Sequence, residues 1–294
     1  MSYANLHLHS FFSDGIFTPL QLCTLAKKKG YGAVSVSDHE TARGVEFMRS
    51  AAKELGLEFI SGMETYAFDF GTEFHILAYD FDPDEPNIRA YTTEMEEAAA
   101  AITKARFDAC KKSGLIRQIS WQQVLDRFPH TGWLCNEQVF DTMKAFGEAT
   151  EADYWGFFTQ FQSATAPASP KMIDSKTMIS LIRGAGGVAV LAHPHRQTQY
   201  LTDLLKNGLN GVEASHPDID KADEQAARAF AREHRLYTTG GTDHTGLLGT
   251  LPTRGDDPER LSSADNGTLT DLTADVFNGA SKKEFDALHS RVYG

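Results

Sequence analysis

Short apolar runs that lead into histidine, aspartate or glutamate recur along this chain and constrain its fold more than any other feature. Residues 6–9 read Leu-His-Leu-His with the period of a strand, so His7 and His9 share one face. Residues 33–37 run into Asp38-His39, 57–60 into Gly62-Met63-Glu64, and 187–192 into His193-Pro194-His195. Residues 211–214 lead to His216, and 236–239 reach Asp243-His244 through Gly240-Gly241. Helical patterns separate these runs at 20–29, 41–55, 178–185, 201–207 and 221–234. Thr18-Pro19 opens the first as N-cap and first-turn proline, and Gly30 stops it. Residues 64–70 and 73–79 predict a hairpin around Gly71-Thr72, with His75 on the returning strand. Alternating strands and helices predict a mostly parallel α/β sheet, open or closed as a barrel.

The middle of the chain breaks this rhythm. Residues 86–167 carry no convincing strand and predict a long helix over 88–113 and shorter ones over 121–128, 137–146 and 152–161. A helical insertion is expected, with the α/β part formed by 1–85 and 168–252 and a polar extension over 253–294 that is loosely attached or partly disordered. The apolar fraction is 41%, enough for a sizeable core. No run approaches the ~20 apolar residues of a membrane span, and residues 1–5 lack the basic and apolar regions of a signal peptide, so a cytoplasmic protein is expected. The net charge of −12 argues against binding duplex DNA. Three widely spaced cysteines without a CxxC pair argue against a disulfide scaffold or a thiolate zinc site. Oligomeric state is not legible.

Ligand sites in α/β folds collect at the carboxyl ends of strands. That is where His7, His9, Asp14 (in Ser13-Asp14-Gly15), His39, Glu64, His75, His193, His216, Asp243 and His244 fall. An isolated histidine at a strand end is ordinarily a surface group, and an Asp-Gly is ordinarily turn chemistry. The joint pattern is different, because clustered carboxylates repel one another unless cations sit between them. Imidazole and carboxylate without thiolate suit Zn²⁺, Mn²⁺ or Fe²⁺. The ligands outnumber the needs of one ion, so two or three divalent ions are expected, with Glu64 a bridge.

The ordered set His7-Leu8-His9, Ser13-Asp14-Gly15, Ser37-Asp38-His39, Gly62-Met63-Glu64, Leu191-Ala192-His193-Pro194 and Gly240-Gly241-Thr242-Asp243 resembles the motifs of the PHP (polymerase and histidinol phosphatase) family, most closely its stand-alone bacterial phosphoesterases with a helical insertion. The resemblance spans roughly residues 4–250. It implies a distorted (β/α)7 barrel with a trinuclear centre. One ion would be held by His7, His9, Glu64 and Asp243, a second by Glu64, His75 and His193, and a third by Asp14 and His39. The family completes the third site with a histidine two residues after the final Asp. Here that position is Thr245, with His244 one residue earlier. Asp38 would orient a ligand. Trp133-Leu134-Cys135-Asn136 stands where relatives often carry Arg-Pro-His.

The implied activity is hydrolysis of a phosphomonoester of a small nucleotide, a nucleoside mono- or bisphosphate, by metal-activated water. His195 or His216 would protonate the leaving oxygen. Arg196, Lys171 and Arg43 are candidate phosphate clamps. Phe128, Trp133, Phe140, Trp155, Phe157 and Phe158 offer a lid over a base, although a core role suits most of them. Competing readings are a 5′-3′ exonuclease on short RNA, a histidinol-phosphate-type phosphatase, a metal-dependent amide or ester hydrolase, and a non-catalytic metal-binding module.

Overall fold

The computed structural model describes residues 2–243 and 278–291. His244, Thr245 and the greater part of the polar extension lie outside those residues. The fold is mixed α/β. β1 (Ala4–Asn5), β2 (Ala33–Val34) and β3 (Glu58–Phe59) form a parallel three-stranded sheet, joined by α1 (Pro19–Lys29) and α2 (Val45–Leu55). The second sheet begins with the hairpin β4 (Gly62–Asp69) and β5 (Thr72–Tyr79). It continues through β6 (Val188–Leu191), β7 (Gly211–Ser215) and β8 (Tyr237–Gly240), in that order. β4, β5 and β6 are antiparallel neighbours, and β6, β7 and β8 run parallel.

Sequence signals act locally where expected. Thr18 and Gln21 form a capping box at α1, and Gly30 closes it in the left-handed region at φ 90°. The hairpin closes with Asp69 opposite Thr72, as its turn residues require. The first three strands are shorter than their apolar runs. Beyond two residues the ladder gives way to single bonds, such as Ser37 N–H to the Leu8 carbonyl, 2.8 Å. The released backbone of residues 6–10 and 35–40 is the part that carries site residues. The continuous ladders form two sheets and stop short of a closed ring. Isolated contacts join their margins: Leu6 N–H donates to the Gly240 carbonyl at 3.1 Å, and His39 bridges Glu64.

Both faces of the second sheet are buried, which is why residues 187–192 read as an unbroken apolar run. On β6, Ala189 and Leu191 face a cluster with the helices, while Val188 and Val190 face a second cluster. β5 alternates the same way, with Ile76 and Ala78 on one side and Leu77 and Tyr79 on the other.

Residues 86–163 are helical: α3 (Pro86–Ser113), α4 (Trp121–Arg127), α5 (Asn136–Ala145) and α6 (Tyr154–Ser163). They pack around a core of their own that includes Phe107, Val124, Val139, Phe140, Phe157 and Phe161. α3 also crosses to the α/β part, where Glu96 accepts from Arg43 Nε at 2.8 Å. Gly132 lets the chain pass this pair, since a Cβ there would lie 2.4 Å from Glu96 Oε2. α7 (Ser175–Gly184), α8 (Leu201–Lys206) and α9 (Lys221–His234) complete the outer layer.

One expectation is corrected. Residues 278–291, within the extension read as loosely attached, are packed into the fold. Ala280 pairs with Ala4, and the last helix (Lys282–His289) buries Phe285 and Leu288 completely against the inner cluster. Two apolar side chains one turn apart suffice to dock a short capped helix, however polar its surroundings. Phe285→Ala should therefore cost about 3–5 kcal/mol in urea unfolding. A loss below ~1 kcal/mol would show that this helix contributes little.

Candidate metal centre

The loops released from both sheets converge on Glu64, the third residue of β4, which is fully buried. Its Oε2 lies 3.3 Å from His7 Nε2, 3.3 Å from His9 Nε2 and 3.2 Å from His39 Nδ1. Its Oε1 lies 2.9 Å from His75 Nδ1 and 3.1 Å from His193 Nε2. Asp243, just past β8, approaches His9 Nε2 at 2.8 Å and His7 Nε2 at 3.5 Å. Asp14 approaches His9 Nδ1 at 3.1 Å and His39 Nε2 at 3.6 Å. Groups with ligand atoms within 4.8 Å of one another include His7, His9, Glu64 and Asp243; Glu64, His75 and His193; His9, Asp14 and His39; and His7, Glu213 and His216.

The donor set suits divalent cations. Buried ring nitrogens at His9 Nε2 and His39 Nδ1 have carboxylates close by but no correctly directed hydrogen bond, as expected of lone pairs aimed at a shared ion. Mixed imidazole and carboxylate donors match zinc, manganese or iron.

The backbone is held in costly conformations to achieve this. His193 (φ 24°), Asp243 (φ 52°) and Glu40 (φ 55°) occupy the left-handed region. Each is pinned by its amide: His193 N–H to Glu213 Oε2 at 2.9 Å, Asp243 N–H to the His7 carbonyl at 2.8 Å, and Glu40 N–H to the Glu64 carbonyl at 2.8 Å. Gly241 is required for the second of these. A Cβ there would sit 2.4 Å from His7 N.

Glu213 on β7 went unnoticed in the sequence, though a lone acid in an otherwise small and apolar strand was a signal. It is fully buried, and both its oxygens lie 3.2 Å from His7 Nδ1. An Nδ1 proton donated there leaves Nε2 free to face Glu64 and Asp243. Asp38 acts on the loop: it accepts from Ser10 N–H and Ser10 Oγ, both at 2.7 Å, and from Ser13 Oγ at 2.8 Å, fixing the segment between His9 and Asp14.

The remaining sequence candidates separate. His216 is buried beside the cluster, with Nε2 3.4 Å from Asp243 Oδ2. His195 points instead at α9, with Nδ1 3.3 Å from Asp223. Arg43 is occupied by Glu96, Arg196 is exposed with its amide bound to Asp223, and Lys171 is exposed at the rim of a cavity. Of the aromatics, Phe140 and Phe157 belong to the helical core, whereas Trp133 lines that cavity, its ring centroid 5.4 Å from that of His39. The cavity holds about 430 Å³ and runs from Asp14 and His39 between Tyr66, α3 and the start of α5.

A family model for the PHP domain matches residues 5–147. The chain is 27% identical over 253 residues to phosphoribosyl 1,2-cyclic phosphate 1,2-diphosphodiesterase of Eggerthella lenta, covering 84% of this chain and 96% of that protein. It is 26% identical over 263 residues to a 5′-3′ exoribonuclease of Haemophilus influenzae, covering 81% and 88%. The fold matches the crystal structure of a protein assigned as a metal-dependent phosphoesterase from Bifidobacterium adolescentis, with a TM-score of 0.76 and 23% identity over 99% of this chain and 96% of that one.

Without cations, the surrounding carboxylates favour protons on His7, His9 and His75. Burial opposes charge on His75, but Glu64 and Glu73 outweigh it and raise its pKa to about 9. Burial likewise opposes charge on His7, where Glu213, Asp243 and Glu64 prevail and lift the pKa well above the usual range. An unfolded histidine titrates near ~6.5. The stability these residues contribute is therefore complete below about pH 6.5 and is lost as pH rises through the folded pKa, about 9 for His75. Chelated protein should lose unfolding free energy between those limits in urea titrations. Mn²⁺ should restore it most at the alkaline end, where ligands are already deprotonated. A stability that rises with pH in the chelated protein would contradict this.

Proposed function

The chain carries a PHP domain and belongs with the metal-dependent hydrolases of phosphoric esters, and from that premise we propose that it removes a phosphate from a small nucleotide, a nucleoside mono- or bisphosphate. The observation that carries the reading is the cavity of about 430 Å³ that opens directly from Asp14 and His39 and is walled by Trp133 and α3. Its volume suits a small organic leaving group, which needs roughly 300–1,000 Å³. We read the two joined sheets as a distorted barrel, and residues 86–167 as the insertion that roofs the cavity.

His7, His9, Glu64 and Asp243 would hold one ion, Glu64, His75 and His193 a second, and Asp14 with His39 a third. Ions so held would supply a coordinated water of lowered pKa and positive charge toward the phosphoryl group. Glu213 holds the proton of His7 on Nδ1, so the ring presents Nε2 inward. His216 accepts from the Asp218 amide on Nδ1, at 3.0 Å, which puts its ring proton on Nε2, facing Asp243. In this reading His216 would give that proton to the leaving oxygen in preference to His195, which is bound at α9. Trp133 and Tyr66 flank His39 and keep bulk water from that side of the reacting group.

Phosphate release should appear with a panel of nucleoside mono- and bisphosphates in Mn²⁺ or Zn²⁺ and vanish on chelation. Liberation of mononucleotides from short RNA instead would favour the exonuclease reading. No product from either set would favour amide or ester hydrolysis or a non-catalytic module. Metal analysis of purified variants tests the centre itself. Glu64→Ala should remove more than one metal equivalent and Asp14→Ala at most one, and equal losses would refute the bridging role.

A further inference from the structure

The cavity beside the candidate metal centre contains a guanidinium without a counter-ion among the described residues. Arg106 on α3 lines it, and its Nε is buried with no hydrogen-bond partner. Its NH1 donates only to the neutral carbonyl oxygen of Gln162, whose amide is held by Asn136 Oδ1 at 3.0 Å. Among the described residues no carboxylate lies within ion-pair distance of Arg106. That is unusual in a chain with 40 acidic residues, and the contrast with Arg43, clasped by Glu96, is direct. A partly buried charge left unpaired is costly, and the cost is recovered when an anion arrives. The other described cation lining this cavity, Lys171, is exposed at its rim.

The position of Arg106 relative to the metal centre follows from α3. Thr103 Oγ1 donates to the Leu134 carbonyl at 2.8 Å, which fixes the helix against the segment carrying Trp133, itself beside His39. Arg106 is three residues further on, about 4.5 Å along the helix axis. Between the two ends Trp133, Met95, Ala98 and Ile102 give the wall apolar surface, and Glu94 and Glu137 also line the cavity, which leaves Arg106 as the group there that can attract an anion. One end of the cavity thus suits a phosphate at the ions, the middle suits a flat apolar body, and the far end suits an acceptor with negative charge.

We propose that Arg106, without an acidic partner among the described residues and lining the cavity that opens from Asp14 and His39, binds a second anionic group on the leaving group, so that preferred substrates are phosphate esters with a phosphate or carboxylate beyond the scissile phosphate. Arg106 is then a specificity-determining residue. This rests on the phosphoesterase reading above.

The test compares wild type with Arg106→Gln and Arg106→Lys on two matched pairs: adenosine 3′,5′-bisphosphate against adenosine 5′-monophosphate, and carboxyphenyl phosphate against phenyl phosphate. In Arg106→Gln the ratio of kcat/KM for the doubly anionic member over its partner should fall about thirtyfold, the worth of a charge-assisted hydrogen bond. Arg106→Lys should keep most of the preference. A fall in the nucleotide pair identifies phosphate as the second anion, and a fall in the aryl pair identifies carboxylate. Ratios within twofold of wild type in both pairs overturn the proposal. Equilibrium binding of adenosine 3′,5′-bisphosphate to chelated protein gives a readout independent of turnover. About tenfold weaker binding by Arg106→Gln supports the site even if no ester is hydrolysed, an outcome that would sink only the phosphoesterase reading. Equal binding, or none in wild type, overturns the site.

Discussion

A buried carboxylate shared by five imidazoles among the described residues organises this molecule. The two oxygens of Glu64 divide them, His7, His9 and His39 on one and His75 and His193 on the other. Burial alone would drive Glu64 to its neutral form, but the surrounding rings hold its pKa well below the usual range. The same attraction raises the pKa values of His7, His9 and His75. Such a cluster is electrically satisfied in two ways, by protons on the rings or by cations between rings and carboxylates. The geometry serves both, which couples metal loading to proton release.

The cost of gathering these groups is borne by the backbone around them. Two of the gathered residues, His193 and Asp243, sit in the left-handed region, and so does Glu40 beside His39. The amide bonds that pin them end on Glu213, His7 and Glu64, so the residues that hold the ring geometry also stabilise the strained turns. Short ladders in the first sheet belong to the same account. A strand that continued regularly past Asn5 or Val34 would carry its histidines outward along the sheet, whereas the observed bends bring them together at one end.

The helical segment divides the labour. Its own core makes it rigid, and the Arg43–Glu96 contact ties it to the α/β part beside the cluster. On the proposed reading the α/β part would supply the groups that act on phosphate, and the helices the wall that contacts the remainder of the substrate. A catalytic end and a specificity wall built on different segments can vary independently.

The order of strands and helices, the caps of α1, the hairpin turn and nearly every candidate ligand were legible in the sequence, because these depend on local chemistry: side-chain period, turn residues, and acids and imidazoles at strand ends. The role of Glu213 was not, since an acid within a strand reveals its purpose only when the strand that follows β6 brings it under His7. The separation of His216 from His195, and the loss of Arg43 to Glu96, likewise depend on which way neighbouring helices cross. The docking of residues 278–291 was hidden because a two-residue apolar contact makes no visible pattern in a polar tail. Arg106 stood out only once tertiary packing had partly buried it with no acidic partner among the described residues. Residue types fixed what chemistry was available, and long-range packing, which sets burial and the neighbours of each charge, decided which groups perform it.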